Sequence, residues 1–158
     1  MASRQHILNA RTFIRQPRMD VFTFFAAAEN LERITPPELR FQILTPLPLP
    51  MAAGTRIDYR LRLFGIPFRW TTVISRWEPG LGFVDEQVKG PYAKWVHTHS
   101  FEETAGGTLV SDEVCYRLPL FPFGEIAYPL LRLQLRRIFA YRARRLGELL
   151  GGGDGSVA

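Results

Sequence analysis

The chain has almost no cysteine and almost no lysine. Cys115 stands alone, so no internal disulfide can form and no cysteine cluster can hold zinc; a reducing, cytoplasmic setting is expected. No apolar run comes near the ~20 residues that span a bilayer. Residues 1–13 contain no apolar core of the kind a signal peptide needs, so none is expected. Internal repeats and dividing linkers are missing, which leaves one domain over residues 5–150. Residues 151–158 (GGGDGSVA) read as a flexible tail with nothing to bury. No glycine-rich phosphate loop and no Ser-His-Asp spacing occur, and no cofactor is expected.

A hydrophobic fraction of 46% with 13% aromatics is enough for one buried core and excludes disorder, which requires low hydrophobicity. Of 20 basic residues only Lys89 and Lys94 are lysines, and the net charge is +5. The excess reads either as a compositional preference for arginine or as a match to an acidic partner such as lipid head groups or nucleic acid.

Residues 5–14 form a first strand of mixed character. Pro17 opens a helical stretch with Val21, Phe22 and Phe25 on one side, since proline is tolerated where the first N–H groups lack partners anyway. A second short helix covers 28–34 and stops at Thr35-Pro36-Pro37. The period then changes to two. Short strands are expected at 41–44, 57–63, 68–77, 82–88, 93–103 and 108–118, the third with a bulge. Residues 124–150 are helical, with Leu131, Leu135, Ile138, Arg142, Leu146 and Leu149 near one stripe. Pro129 marks either the start of the main helix or a kink. Six consecutive strands without crossovers must form an antiparallel meander, and the last helix must cover its apolar face. The expected fold is α+β, a curved antiparallel sheet of about seven strands gripping one long helix.

That order resembles the START-like, or SRPBCC, helix-grip superfamily, which includes polyketide cyclases, coenzyme Q-binding proteins and Bet v 1-like proteins. The resemblance covers residues 5–148. Residues 28–37 (AENLERITPP), 90–95 (GPYAKW) and 107–112 (GTLVSD) are similar to a bacterial cyclase/dehydrase or ligand-binding branch. It implies a deep cavity between sheet and helix for a lipid-like, polyketide or isoprenoid ligand. It implies no active-site residue, because the superfamily has no universal catalytic motif. Independently, a bent sheet around one helix leaves a concave apolar space, the usual form of a small-molecule site. Two apolar proline-rich segments, 45–54 (TPLPLPMAAG) and 118–124 (LPLFPFG), either rim that space or simply cap the core.

The stretch 95–101 (WVHTHSF) carries the most chemistry. Trp95 and Phe101 put the odd positions on the inner face, and His97 and His99 go with them. A tight turn at 104–107 sets Phe101 against Val110, His99 against Asp112 and His97 against Val114. A turn at 89–92 sets Asp85 against His97 and Gln87 against Trp95. Directly opposed Cβ atoms lie about 5 Å apart, within reach of a His–Asp hydrogen bond. Asp85, His97, His99 and Asp112 therefore form a polar layer, since a buried charge requires a partner. The layer either fixes strand register, grips a ligand hydroxyl or carbonyl, or supplies an Asp-oriented His as general base. A metal is not expected, because no third His is placed to help. His6 is expected to be exposed, and Cys115 falls on the outer face. The candidate ligand wall joins this polar layer to Tyr59, Leu61, Trp70, Thr72, Gln87, Trp95, Phe101, Val110, Val114 and Tyr116 of the sheet and to Leu131, Leu135, Ile138 and Arg142 of the helix. Arg142 reaches in to meet a ligand carboxylate or Asp112.

Arg132, Arg136, Arg137, Arg144 and Arg145 read as the solvated side of the helix or as a docking face for an anionic membrane. Nucleic acid is not expected, because no stacking aromatics interleave with them. Three functions follow. The first is a carrier or sensor of an apolar small molecule. The second is a polyketide-type cyclase or dehydratase using His/Asp chemistry. The third is a membrane-docked or enzyme-partnered module with a largely filled cavity.

Overall fold

The computed structural model describes residues 3–158. Strand β1 (Gln5–Ile14) is followed by α1 (Arg18–Ala26), α2 (Asn30–Arg33) and a 3-10 turn at Pro37–Leu39. The meander then runs through β2 (Gln42–Ile43), β3 (Arg56–Leu63), β4 (Ile66–Glu78), β5 (Gly82–Lys89), β6 (Lys94–Thr104) and β7 (Gly107–Arg117). A second 3-10 turn (Phe123–Ala127) leads into α3 (Tyr128–Leu150), and β8 (Gly152–Val157) closes the chain. Pro129 lies in the first turn of α3, so it starts the helix rather than kinking it. The 28–34 helix is shorter than its sequence pattern suggests, a single turn.

The eight strands form one sheet in the order β2-β3-β4-β5-β6-β7-β1-β8, antiparallel throughout. Alternation drives it. Successive residues of β1, β6 and β7 switch between exposed or half-exposed and buried, as a sheet covered on one face requires. The register of β4 on β5 shifts twice, at Thr71/Thr72 and at Ile74/Arg76, which explains the blurred alternation of that strand.

The tail is a correction. Residues 152–157 pair with β1, and Ala158 exchanges backbone hydrogen bonds with Asn9 at 2.8 and 3.0 Å. Its glycines make this possible. A Cβ on Gly155 would meet the Ala143 Cβ of α3 at 2.6 Å, and one on Gly152 would meet the Phe13 carbonyl at 2.5 Å. Gly151, at φ +75°, turns the chain out of α3 toward β1.

The core has two apolar halves. One holds Leu8, Trp70, Trp95, Tyr116, Leu135 and Phe139, the other Ile14, Phe22, Ile74, Phe101, Val110 and Leu146. Several inner strands and α3 pass from one half to the other through a polar position: Thr12, Thr72, His97 and His99, Asp112, and Arg142, all buried.

Candidate functional site

A cavity of about 190 Å³ lies between the sheet, α1 and α3. For scale, a buried apolar hole of ~150 Å³ accommodates benzene. Of the expected wall, Tyr59, Leu61, Trp70, Thr72 and Trp95 line it from the sheet. Leu135, Ile138 and Arg142 line it from α3, and Asp85, His97 and His99 form its polar side.

Seven expected residues do not line it. Asp112 sits behind the two histidines, bonded to His97. Phe101 and Val110 are consumed by the second apolar half. Val114, Tyr116 and Leu131 pack in the first. Gln87 is not opposite Trp95, because the β5–β6 pairing ends at Glu86 and Val96. Its side chain turns back instead, accepting from the Tyr92 N–H at 3.2 Å and donating to the Tyr92 carbonyl at 2.7 Å. Of the two proline-rich segments, only Met51 of the first reaches the wall, and residues 118–124 do not.

The wall also contains residues the strand pattern did not single out: Phe24 and Phe25 of α1, Leu39, Phe41, Tyr92 and Phe139. Phe25 and Phe139 lie on the inward stripes of their helices, a signal of burial that does not separate wall from filling. Tyr92 comes from the turn between β5 and β6, and no periodicity marks it.

The register brings the polar layer together. Asp85 is opposite His97, and His99 is opposite Asp112. The shortest hydrogen bonds nevertheless run diagonally. His97 Nε2 is 2.7 Å from Asp112 Oδ1, and His99 Nε2 is 2.6 Å from Asp85 Oδ2. The directly opposed pairs are longer, 3.7 Å for His97 Nδ1 to Asp85 Oδ2 and 3.2 Å for His99 Nδ1 to Asp112 Oδ1. The reason is ring packing: the two imidazoles stack with centroids 3.7 Å apart, and His99 also stacks on Phe83 at 4.0 Å. Stacked rings present their edges, not their faces, to the neighbouring carboxylates.

Arg142 enters this layer from α3. It is buried, with Nη2 3.5 Å from Asp112 Oδ1 and 3.4 Å from His99 Nδ1. Its guanidinium lies over Phe25 and Phe139, 5.1 and 5.9 Å from the ring centroids. Burial alone would raise the carboxyl of Asp112. The charge of Arg142 and hydrogen bonds from both histidines instead hold it well below the usual carboxylate range. Asp85 is likewise lowered against burial, chiefly by His97 and by the hydrogen bond from His99. The histidines diverge. Burial and the adjacent His99 lower His97, whereas hydrogen bonds to Asp112 and Asp85 raise His99 despite burial. The cluster therefore favours a proton on His99 over one on His97.

Asp85, His97 and His99 also offer three atoms within 4.8 Å of one another that could hold a metal ion. A dication there would sit beside the guanidinium of Arg142, so the arrangement fits a hydrogen-bonded network better than a metal centre.

Three wall residues carry buried donors with no partner among the described residues: Trp70 Nε1, the Tyr92 hydroxyl and Arg142 Nε. A buried donor left unpaired costs ~1–3 kcal/mol, and the cavity is the space adjoining all three residues. His6, expected at the surface, is buried. It points inward from β1, stacks on Tyr128 at 3.9 Å and bonds Glu125 Oε2 at 2.8 Å. It pins the start of α3 and takes no part in the cavity.

A curved antiparallel sheet gripping one long C-terminal helix around an internal cavity defines the helix-grip class shared by START and Bet v 1-like proteins. Residues 14–139 match the family model "Polyketide cyclase / dehydrase and lipid transport", and the chain belongs to that family. Solved structures agree in fold. The protein TTHA0849 from Thermus thermophilus is 20% identical with a TM-score of 0.69, over 90% of this chain and 95% of that one. A START superfamily protein from Mycobacterium smegmatis is 13% identical with a TM-score of 0.68, over 91% and 99%. Major latex-like protein 151 from Panax ginseng is 13% identical with a TM-score of 0.63, over 92% and 97%. No curated protein matches the sequence significantly.

Proposed function

We propose that the chain binds, as carrier or sensor, an apolar small molecule bearing an oxygen acceptor. The observation that carries this reading is the pairing of an aromatic and aliphatic wall with unpartnered donors on Trp70, Tyr92 and Arg142. A carbonyl, hydroxyl or carboxylate oxygen entering the cavity supplies what those donors lack, while the hydrocarbon body displaces poorly held water. The volume suits one or two fused rings, or the head of a longer lipid or polyketide. The pair 1-indanone and indane, alike in shape, tests this by titration calorimetry. 1-Indanone should bind about five-fold tighter or better, the worth of one hydrogen bond. Trp70→Phe and Tyr92→Phe should reduce that preference. Equal affinities for the two probes, or no binding of either, refute the reading.

The Asp-held histidines favour a second reading, acid–base chemistry of the cyclase type, because both imidazoles line the cavity with their edges fixed by carboxylates. A base here removes a proton from carbon next to a carbonyl, leaving an enolate stabilised by the nearby donors. Deuterium exchange at the α-carbon of 1-indanone, followed by NMR, is the measurement. Acceleration by the protein that disappears in His97→Gln supports a base; exchange at the buffer rate leaves a binding protein.

A further inference from the structure

The face of the molecule away from the cavity carries its own signal. Within residues 119–137 every exposed residue is either apolar or arginine. Leu120, Phe123, Ile126, Leu130 and Leu133 are 55–81% exposed. They come from the loop after β7, the 3-10 turn and the outward stripe of α3. Soluble helices normally turn such residues inward, and this one already buries Leu135 and Phe139 on its other side. The only acid in the stretch, Glu125, is turned inward to His6.

We infer that this face docks on an anionic phospholipid bilayer. The apolar side chains enter the boundary between head groups and acyl chains. Arg132 and Arg136, beside Leu133 on the same exposed side, reach the phosphates, although Arg136 Nη2 also lies 3.4 Å from the Val157 carbonyl, a neutral acceptor that leaves its charge unpaired. Arg137 is already engaged by Glu38 at 2.7 Å and is not needed. Charge decides the occupant: a second copy docked face to face would set arginine against arginine with no exposed acid in the stretch to pair with either. A surface of negative phosphates complements both components at once. The inference stands apart from the identity of the cavity's occupant.

Co-sedimentation of the full chain with vesicles tests it. One set is phosphatidylcholine alone, and the other contains roughly three parts in ten phosphatidylglycerol, both at moderate salt. Binding to the anionic vesicles should be about ten-fold tighter or more. A triple variant (Leu120→Ser, Phe123→Ser, Ile126→Ser) and a double variant (Arg132→Gln, Arg136→Gln) should each lose about ten-fold. The triple variant should melt like the parent chain, since its altered side chains are exposed. The double variant also gives up the Arg136 contact to the Val157 carbonyl, so its melting is compared with that of Arg132→Gln alone, which should keep the parent value. In Phe123→Trp the added indole's emission should shift to the blue on anionic vesicles. Equal affinity for both vesicle types, or binding that survives the triple variant, overturns the inference. So does self-association in ultracentrifugation, abolished by the triple variant and unaccompanied by vesicle binding.

Discussion

Asp112 gathers the polar layer onto one oxygen: His97 Nε2, His99 Nδ1 and Arg142 Nη2 approach its Oδ1 at 2.7, 3.2 and 3.5 Å. Removing its charge leaves a buried guanidinium without its nearest counterion. Asp112→Asn should cost roughly 3–5 kcal/mol, read as a lower urea midpoint with an unchanged slope; a loss under about 1 kcal/mol would mean the layer is not held by charge. The opposite shifts of the histidines give stability a maximum near pH 6.5, their ordinary value. Below it the unfolded chain protonates His97 more readily than the folded one does, so stability falls with falling pH. Above it the folded chain retains the His99 proton that the unfolded chain has released, so stability falls as pH rises through His99's folded value. Urea midpoints across about pH 5.5 to 8.5 should show both limbs, and His99→Gln should flatten the alkaline one. A flat parent profile would contradict the assignment. That these four residues meet was legible in the sequence, because strand parity and two tight turns determine which Cα atoms face each other. The diagonal hydrogen bonds were not, because they depend on ring stacking, which parity does not encode. His6 was misjudged for a related reason: its partners, Glu125 and Tyr128, lie at the other end of the chain.

At the level of elements, the glycine-rich end shows how composition can mislead. A segment without side chains offers nothing to bury, yet a strand needs only its backbone to pair. Here the missing Cβ atoms are what let β8 lie between β1 and α3. Gly155→Val should therefore displace β8 and lower stability by about 1–3 kcal/mol. The direct readout is hydrogen exchange of the Asn9 amide, which donates to the Ala158 carbonyl at 3.0 Å; protection equal to the parent's would show that β8 does not hold that edge. The meander and α3 were legible because their periodicities are long and regular. The bulged β4 was legible only as a blur, since the register shift between Ile74 and Arg76 moves its inward positions from Trp70, Thr72 and Ile74 to Trp77.

For the whole molecule, element order alone led to the helix grip, because a run of hairpins closed by one amphipathic helix has few ways to bury its apolar face. The cavity wall was less legible. Whether an inward residue lines space or fills it depends on how neighbouring side chains pack, which is why Val114 and Tyr116 became core while Tyr92 and Phe25 became wall. The proline-rich segment after β7 illustrates the same limit. Its apolar character left a cavity rim and a core cap both open, and the segment is neither throughout: Leu118 is buried in the core, while Leu120 and Phe123, leading into α3, form outer surface. Native mass spectrometry of the intact chain, purified without detergent, addresses the central claim. The account predicts a one-to-one adduct, released by organic solvent, whose formula contains oxygen and whose retention falls in a Trp70→Phe, Tyr92→Phe variant. The mass of the bare chain alone, together with a failure to take up 1-indanone, would contradict it.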